Sequence, residues 1–102
     1  MELTSKQRAY LKSLAQTEET LFSVGKASIT PELTAAVDEA LTARELIKIG
    51  VLKNCADDPK ELLSILCERT GATPVQVIGK KMVLYRPAKE DPKIQLPRGR
   101  KE

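Results

Sequence analysis

Three places along the sequence carry signals that start a helix, and their spacing constrains the fold more than any other feature. At each place a side chain that can cap the first turn is followed by a proline, or three residues later by glutamine or glutamate. These places are Thr4 with Gln7, Thr30 with Pro31, and Asp58 with Pro59 and Glu61. Apolar residues at helical spacing follow each of them. The sequence therefore predicts one helix ending near residue 15, a second over 31–45 and a third over 55–70.

Four short segments rich in β-branched and apolar residues follow these helices, a composition typical of strands. They span residues 20–24, 46–52, 75–78 and 82–85, and Gly79 and Lys80 join the last two as a hairpin. The predicted order is α-β-α-β-α-β-β, an α/β fold of the α+β type with a four-stranded mixed sheet. Strand 82–85 is apolar on both faces, and Leu46 and Leu52 add to the second face. We therefore expect cover on both sides of the sheet, with the first helix opposite the other two.

The composition excludes several classes of protein. The chain has 102 residues, which suits one domain. No apolar run reaches the roughly 20 residues of a membrane helix, and the first residues lack a secretory pattern, so a cytoplasmic location is expected. There is no histidine, and the two cysteines are not at a metal-binding spacing. We expect a protein that is not an enzyme and has no metal, no cofactor and no small-molecule substrate. A monomer is also expected.

Charge is unevenly distributed along the chain. The formal net charge is +3, but the predicted helices 31–45 and 55–70 together carry −5, so the other residues carry +8. This segregation indicates an anionic partner, and RNA is the leading hypothesis. The acidic helices leave a second class of function open. In it the chain is an adaptor that docks on ribosomal or other proteins through residues such as Asp38 and Glu39.

The segment from Gly25 to Pro31 is the best candidate for contact with phosphate. Glycine allows the backbone to approach a ligand closely, and Lys26 adds positive charge. The segment leads into a helix N-terminus, whose N–H groups and dipole favour an anion. By itself the segment is more typical of a plain strand-to-helix turn with one exposed lysine. Further positive charge is expected on the first helix and on the hairpin, from Arg8, Lys12, Lys80, Lys81 and Arg86.

Two common ways of binding nucleotides have no support in the sequence. The spacing from Gly71 to Gly79 and Lys80 is too long for a GxxxxGK phosphate loop, and it leads into a strand rather than a helix. The aromatic side chains lie in apolar patterns, so we expect them to pack in the core rather than to stack on bases. They are Tyr10, Phe22 and Tyr85.

Three segments together resemble a known family. Residues 3–15 (LTSKQRAYLKSLA), 43–49 (ARELIKI) and 75–87 (VQVIGKKMVLYRP) are similar to a stand-alone CRM domain of the bacterial YhbY type, and the resemblance extends over residues 1–97. It implies an RNA-binding fold related in shape to the C-terminal domain of translation initiation factor three. It also implies association with precursors of the large ribosomal subunit, with large-subunit rRNA as the partner.

The family carries a GxxG loop after its first strand, and the matching positions here include a serine in place of the second glycine. Serine adopts a positive φ less readily than glycine. The expected RNA-binding residues are Gly25, Lys26, Ala27, Ser28, Lys6, Arg8, Lys12, Lys80, Lys81 and Arg86. We expect the domain to span residues 1–97, with an extended or mobile course from residue 88 and a flexible basic tail over 98–102.

Overall fold

The computed structural model describes residues 2–97 of the chain. It has three helices and four strands in the predicted order. The helices are α1 (Ser5–Ala15), α2 (Pro31–Arg44) and α3 (Pro59–Thr70), and the strands are β1 (Thr20–Val24), β2 (Leu46–Val51), β3 (Thr73–Ile78) and β4 (Lys81–Tyr85). The predicted α/β fold of the α+β type, with its four-stranded mixed sheet, is confirmed. No helix within residues 2–97 is long and apolar enough to cross a membrane.

All three helices begin at their predicted caps, although the predicted range 55–70 started before its cap, Asp58. In α1 the Gln7 N–H donates to Thr4 Oγ1 (3.1 Å), and the Thr4 N–H donates to Gln7 Oε1 (3.1 Å). At the start of α2 the Leu33 N–H donates to Thr30 Oγ1 (3.0 Å). Each bond gives a partner to a backbone group that the helix cannot satisfy itself, which is why these residues fix the starting points.

Two helix boundaries differ from the prediction. α3 begins at Pro59 rather than at residue 55, because Asp58 caps it by accepting from the Lys60 N–H (3.4 Å). That single bond takes the place of the predicted box with Glu61. α2 ends one residue early because Glu45 has a φ of 71°, which lies outside the helical region.

The strand order in the sheet is β1-β2-β4-β3. β1 and β2 are parallel, whereas β4 lies antiparallel between β2 and β3. β1, β2 and β3 consequently run in the same direction, and their carboxyl ends share one edge of the sheet. We call this edge the loop end, because the turns after these three strands meet there.

The sheet has an apolar cluster on each face. The larger cluster lies beneath α2 and α3 and includes Val37, Leu41, Ile47, Ile49, Leu62, Leu66, Met82 and Leu84. The smaller cluster lies beneath α1 and includes Leu11, Ala15, Leu46, Val75, Val83 and Tyr85. Neighbouring residues of β4 therefore enter opposite clusters, as the pleat of a strand requires. The prediction that α1 covers the face away from the other two helices is confirmed.

Two side chains that were predicted to pack in the core are exposed. Leu52 is 47% exposed, because it follows the last residue of β2 and lies outside the smaller cluster. Tyr10 is 37% exposed, because the buried stripe of α1 runs through Leu11 and Ala15, and the preceding residue points about 100° away from that stripe. Tyr85 is buried as expected, and Phe22 is half-buried against the larger cluster.

Residues 88–97 contain no helix or strand, yet they are held against the domain. The buried Glu45 carboxylate accepts from three backbone N–H groups at 2.8–3.1 Å, those of Ala88, Lys93 and Ile94. Burial raises the pKa of Glu45, but these donors and the positive charge of Lys93 together lower it by more, so its pKa lies below the ordinary 4.5. Ile94 and Leu96 also pack against the smaller cluster. The expected extended course therefore makes contacts with the domain at least as far as Leu96, and the predicted flexible tail over 98–102 lies outside the described residues.

Candidate nucleic-acid interface

The turn after β1 is the loop that the sequence singled out. The Ser28 N–H donates to the Gly25 carbonyl (2.9 Å), which closes a turn with Lys26 and Ala27 exposed at its tip. Ser28 has a φ of 59°, the conformation in which glycine is favoured. Its hydroxyl donates to the Asp57 carboxylate, and this contact offsets part of the conformational cost. The Lys26 and Ala27 N–H groups are the donors that a phosphate would meet at the tip.

A second turn lies beside the first, at the end of β2. The Leu52 N–H donates to the Val24 carbonyl (2.8 Å), which ties the ends of the two parallel strands together. A Cβ atom at Gly25 would lie 3.4 Å from both Leu52 Cδ1 and Asn54 Oδ1. These are ordinary contact distances, so the two turns pack against each other without requiring a glycine at this position. Lys53 is exposed on the second turn.

The β3–β4 hairpin meets the same edge. The Val51 N–H donates to the Lys80 carbonyl (2.7 Å), which joins the hairpin to the end of β2. The Lys81 side chain then lies across β2, with its Nζ 3.0 Å from Thr20 Oγ1 on β1. Gly50 lies beneath it, and a Cβ atom there would be 3.9 Å from Lys81 Nζ. The small residue in β2 thus leaves room for the lysine to cross the strand.

Three turns therefore bring Lys26, Lys53 and Lys80 to the loop end of the sheet. Lys81, the first residue of β4, adjoins them, with its Nζ beside Thr20 at the start of β1. We call the set of residues 25–28, Lys53, Lys80 and Lys81 the loop-end surface. All of these residues were predicted from the sequence except Lys53, which lies in no recognisable motif. The order of parallel strands would have revealed it, since residues that follow neighbouring parallel strands meet at one edge. Among the described residues, no group of three Asp, Glu or Cys side chains could hold a metal ion.

Arg8 lies elsewhere and has partners within the protein. Its Nη1 atom donates to the carbonyls of Pro74 and Val75, at 2.8 Å each. The pairing of β3 with β4 shifts register at this point, between Pro74 and Gln76. Arg8 thus binds the carbonyls of an irregular edge strand, near the end of β3 that is opposite the loop end.

Arg86 is also engaged within the protein. It donates to the Asp38 carboxylate (2.6 Å), the Thr70 carbonyl (2.6 Å) and Thr42 Oγ1 (2.9 Å). These contacts tie the end of β4 to α2 and α3. Because β4 runs antiparallel to its neighbours, its carboxyl end lies at the edge opposite the loop end. The structure therefore brings neither predicted arginine to the loop-end surface.

The remaining predicted features are placed less favourably for phosphate than expected. Lys6 and Lys12 lie on α1, on the face of the sheet away from α2 and α3. At the start of α2, Thr30 already accepts from the Leu33 N–H, and the proline at the first position has no N–H to offer. Glu32 adds negative charge in that first turn. The anion-binding capacity of this helix start is therefore smaller than the sequence suggested.

Comparisons with known proteins agree on one group of relatives. Residues 3–86 match the CRS1 / YhbY (CRM) domain. The chain is 40% identical over 95 residues to the probable RNA-binding protein YqeI of Bacillus subtilis, covering 93% of this chain and 99% of the relative. It is 36% identical over 96 residues to an RNA-binding protein of Haemophilus influenzae, covering 94% and 96%. The solution structure of SAV1595 from Staphylococcus aureus superposes with a TM-score of 0.79 at 46% identity, covering 94% of this chain and all of the other.

Proposed function

We propose, from the premise that this chain belongs to the CRS1/YhbY (CRM) domain family, that it is a non-catalytic, monomeric RNA-binding protein of the cytoplasm. We further propose that its RNA is ribosomal and that it acts as an assembly factor of the large ribosomal subunit. Relatives that are named RNA-binding proteins support the first proposal. The resemblance to stand-alone CRM domains of the YhbY type supports the second.

The position of three lysines on adjoining turns, with Lys81 next to them at the start of β4, is the observation that carries RNA binding. Lys26, Lys53 and Lys80 come from separate connections, and all three side chains are exposed. A phosphate at the tip of the first turn would accept from the Lys26 and Ala27 N–H groups, and the neighbouring ammonium groups would neutralise the phosphates on either side. Contacts of this kind position an RNA backbone without reading its sequence.

The other predicted contacts divide into two groups. Lys6 and Lys12 extend the proposed contact along α1, where Lys6 is exposed and Lys12 half-buried. We assign Arg8 and Arg86 to stabilising the fold, because their guanidinium groups already donate to backbone carbonyls. An arginine in such a network would have to give up these bonds in order to reach RNA.

Binding of a structured RNA across a salt series tests the phosphate contacts. The affinity should fall with salt, and Lys26→Ala should weaken unrelated RNAs alike while reducing the slope of log K against log salt by about one. Lys89→Ala is the matched control, since Lys89 is exposed and follows β4 at the opposite edge of the sheet. An affinity that is indifferent to salt, or equal losses in the two variants, would contradict the proposal.

Sedimentation of a cell extract tests the ribosomal assignment. We expect the protein to travel with large-subunit particles or their precursors, and the double variant Lys26→Ala, Lys80→Ala to return to the top of the gradient. A wild-type protein that remains at the top, while still binding RNA in solution, would contradict the ribosomal role and leave RNA binding intact.

The outer face of α2 favours a second candidate function, an adaptor that docks on another protein. Glu32 and Glu39 are exposed there. Asp38 is unsuitable for the test because it holds Arg86 in an ion pair. Reversing the charge of Glu32 and Glu39 should leave ribosome association unchanged under the main proposal. Loss of association with RNA affinity intact would favour the adaptor.

A further inference from the structure

α1 covers only part of its face of the sheet. The residues that pair across the four strands near the loop end form one row, Ser23, Gly50, Lys81 and Ile78. Paired residues point to the same face, and Lys81 is two residues before Val83, which α1 covers. The row therefore lies on the α1 face, beyond the helix, and its Ser23, Lys81 and Ile78 side chains are exposed.

One exposed large hydrophobic side chain, Ile78, belongs to this row, and a second, Leu52, lies in the turn after β2. Ile78 is 59% exposed and Leu52 is 47% exposed. Leu52 Cδ1 lies 3.4 Å from the place that a Cβ atom at Gly25 would occupy, so Leu52 lies against the turn proposed to bind phosphate. Ile78 pairs with Lys81. Apolar side chains placed singly on a surface are ordinary. Here two of them flank cationic groups within a site proposed to bind RNA.

We propose that this part of the sheet binds an unpaired nucleotide of the RNA, with Ile78 and Leu52 against the apolar faces of base and ribose and with Lys81 and Lys26 on the flanking phosphates. The inference rests on the proposed function and specifies its substrate class. An unpaired nucleotide carries apolar and anionic groups a few ångströms apart, and this surface has the complementary arrangement.

A duplex does not fit the same surface. In A-form RNA the faces of the bases are stacked inside the helix, and the accessible groove presents 2′-hydroxyls and base edges. Against a duplex, the lysines would still meet phosphates, but the side chains of Ile78 and Leu52 would meet no apolar partner. The two aliphatic side chains therefore distinguish unpaired from paired RNA, whereas the lysines do not.

The test compares two RNAs, an oligouridylate that stays single-stranded and a GC-rich duplex of equal length, at one salt concentration. Wild type should prefer the oligouridylate. Ile78→Ser and Leu52→Ser should each weaken its binding by about threefold to tenfold, the loss expected for part of one apolar side chain, and change duplex binding by less than about twofold. Ile65→Ser is the control, because Ile65 is 36% exposed on α3 and lies away from the row. Thermal unfolding of each variant checks that it is folded.

The outcomes separate the two levels of the proposal. Absence of RNA binding by the wild type would overturn the proposed function itself. Binding that depends on salt and on Lys26, but is equal for both RNAs and unaffected by Ile78→Ser, would overturn only the present inference. Serine variants that lose equal affinity for oligouridylate and for duplex would also overturn it. So would serine variants that keep their affinity for oligouridylate but no longer bind a ribosomal protein.

Discussion

Removing the Glu45 carboxylate should release residues 88–97 and lower the stability of the domain. Glu45 is 1% exposed, and its carboxylate accepts from the N–H groups of Ala88, Lys93 and Ile94. Glu45→Ala leaves all three donors without their acceptor. Glu45→Gln keeps one acceptor oxygen but turns an NH₂ group toward N–H donors, which repel it.

The magnitude follows from the number of donors. A hydrogen bond to a charged group contributes about 1.5 kcal/mol at the low end of the usual range, so three donors give about 4.5 kcal/mol for Glu45→Ala and about half of that for Glu45→Gln. This loss of stability is an upper limit. Residues 88–97 can detach without unfolding the sheet, and water then satisfies the freed N–H groups. The loss of global stability then equals the free energy with which the segment is docked.

The effect should depend on pH with a definite sign. The pKa of Glu45 lies below its ordinary 4.5, because the backbone donors and the charge of Lys93 together outweigh the raising effect of burial. A group whose pKa is lowered by folding contributes stability above the unfolded pKa, and this contribution is lost as pH falls through the folded pKa. The difference in unfolding free energy between wild type and Glu45→Gln should therefore be full at neutral pH and should shrink on acidification below pH 4.5.

Urea unfolding followed by circular dichroism measures the stability, and amide hydrogen exchange at Lys93 and Ile94 measures local release. Glu39→Gln is the matched control, since Glu39 is an exposed acid on α2. An unfolding free energy for Glu45→Gln within about 0.3 kcal/mol of wild type, with unchanged exchange at both amides, would refute the reasoning, because a buried charged acceptor cannot be lost at so small a cost.

Three further predictions concern single side chains. Arg8→Ala should lower the unfolding free energy by about 1–2 kcal/mol, because two hydrogen bonds to carbonyls are lost. Its RNA affinity in a binding titration should stay within about twofold of wild type. A large loss of affinity without a loss of stability would show that Arg8 contacts RNA. Ser28→Gly should change the unfolding free energy by less than about 1 kcal/mol, because relief of the positive φ opposes loss of the Asp57 contact. Ser28→Ala loses the contact without that relief and should lower the unfolding free energy by about 1 kcal/mol. Equal unfolding curves for the two variants would contradict this. Burial raises the pKa of Cys67 to about 11, so its thiol should resist alkylation at about pH 8 in the native protein and react on unfolding; rapid alkylation of native protein would contradict the burial.

Local signals account for the parts of the fold that were predicted correctly. Thr4 and Thr30 cap the helices they were expected to cap, because a capping side chain acts within three residues of itself. The predicted start of α3 at residue 55 was wrong because this local capping signal was not applied there. Asp58 and Pro59 mark the true start, and the residues before them were counted as helix although they precede the cap.

Contacts between distant segments could not be predicted from the sequence. Arg8 looks like a free cation on a helix, but in the structure it binds carbonyls 66 and 67 positions later in the chain. Arg86 reaches an acid 48 positions earlier, and Glu45 accepts from N–H groups 43 to 49 positions later. An isolated charge in a sequence carries no sign of such a partner. Charge counting therefore overstates the number of cations available to a ligand.

The position of the loop-end surface follows from strand direction rather than from any motif. Because β1, β2 and β3 run the same way, the residues that follow Val24, Val51 and Ile78 must all emerge at one edge. Lys26, Lys53 and Lys80 each lie two residues beyond the end of a strand, so the topology brings them together, although no two of them are close in the sequence. Arg86 follows β4, whose direction is opposite, so it emerges at the other edge and does not join them. Topology thus decides which of the 17 lysines and arginines can act on one RNA together.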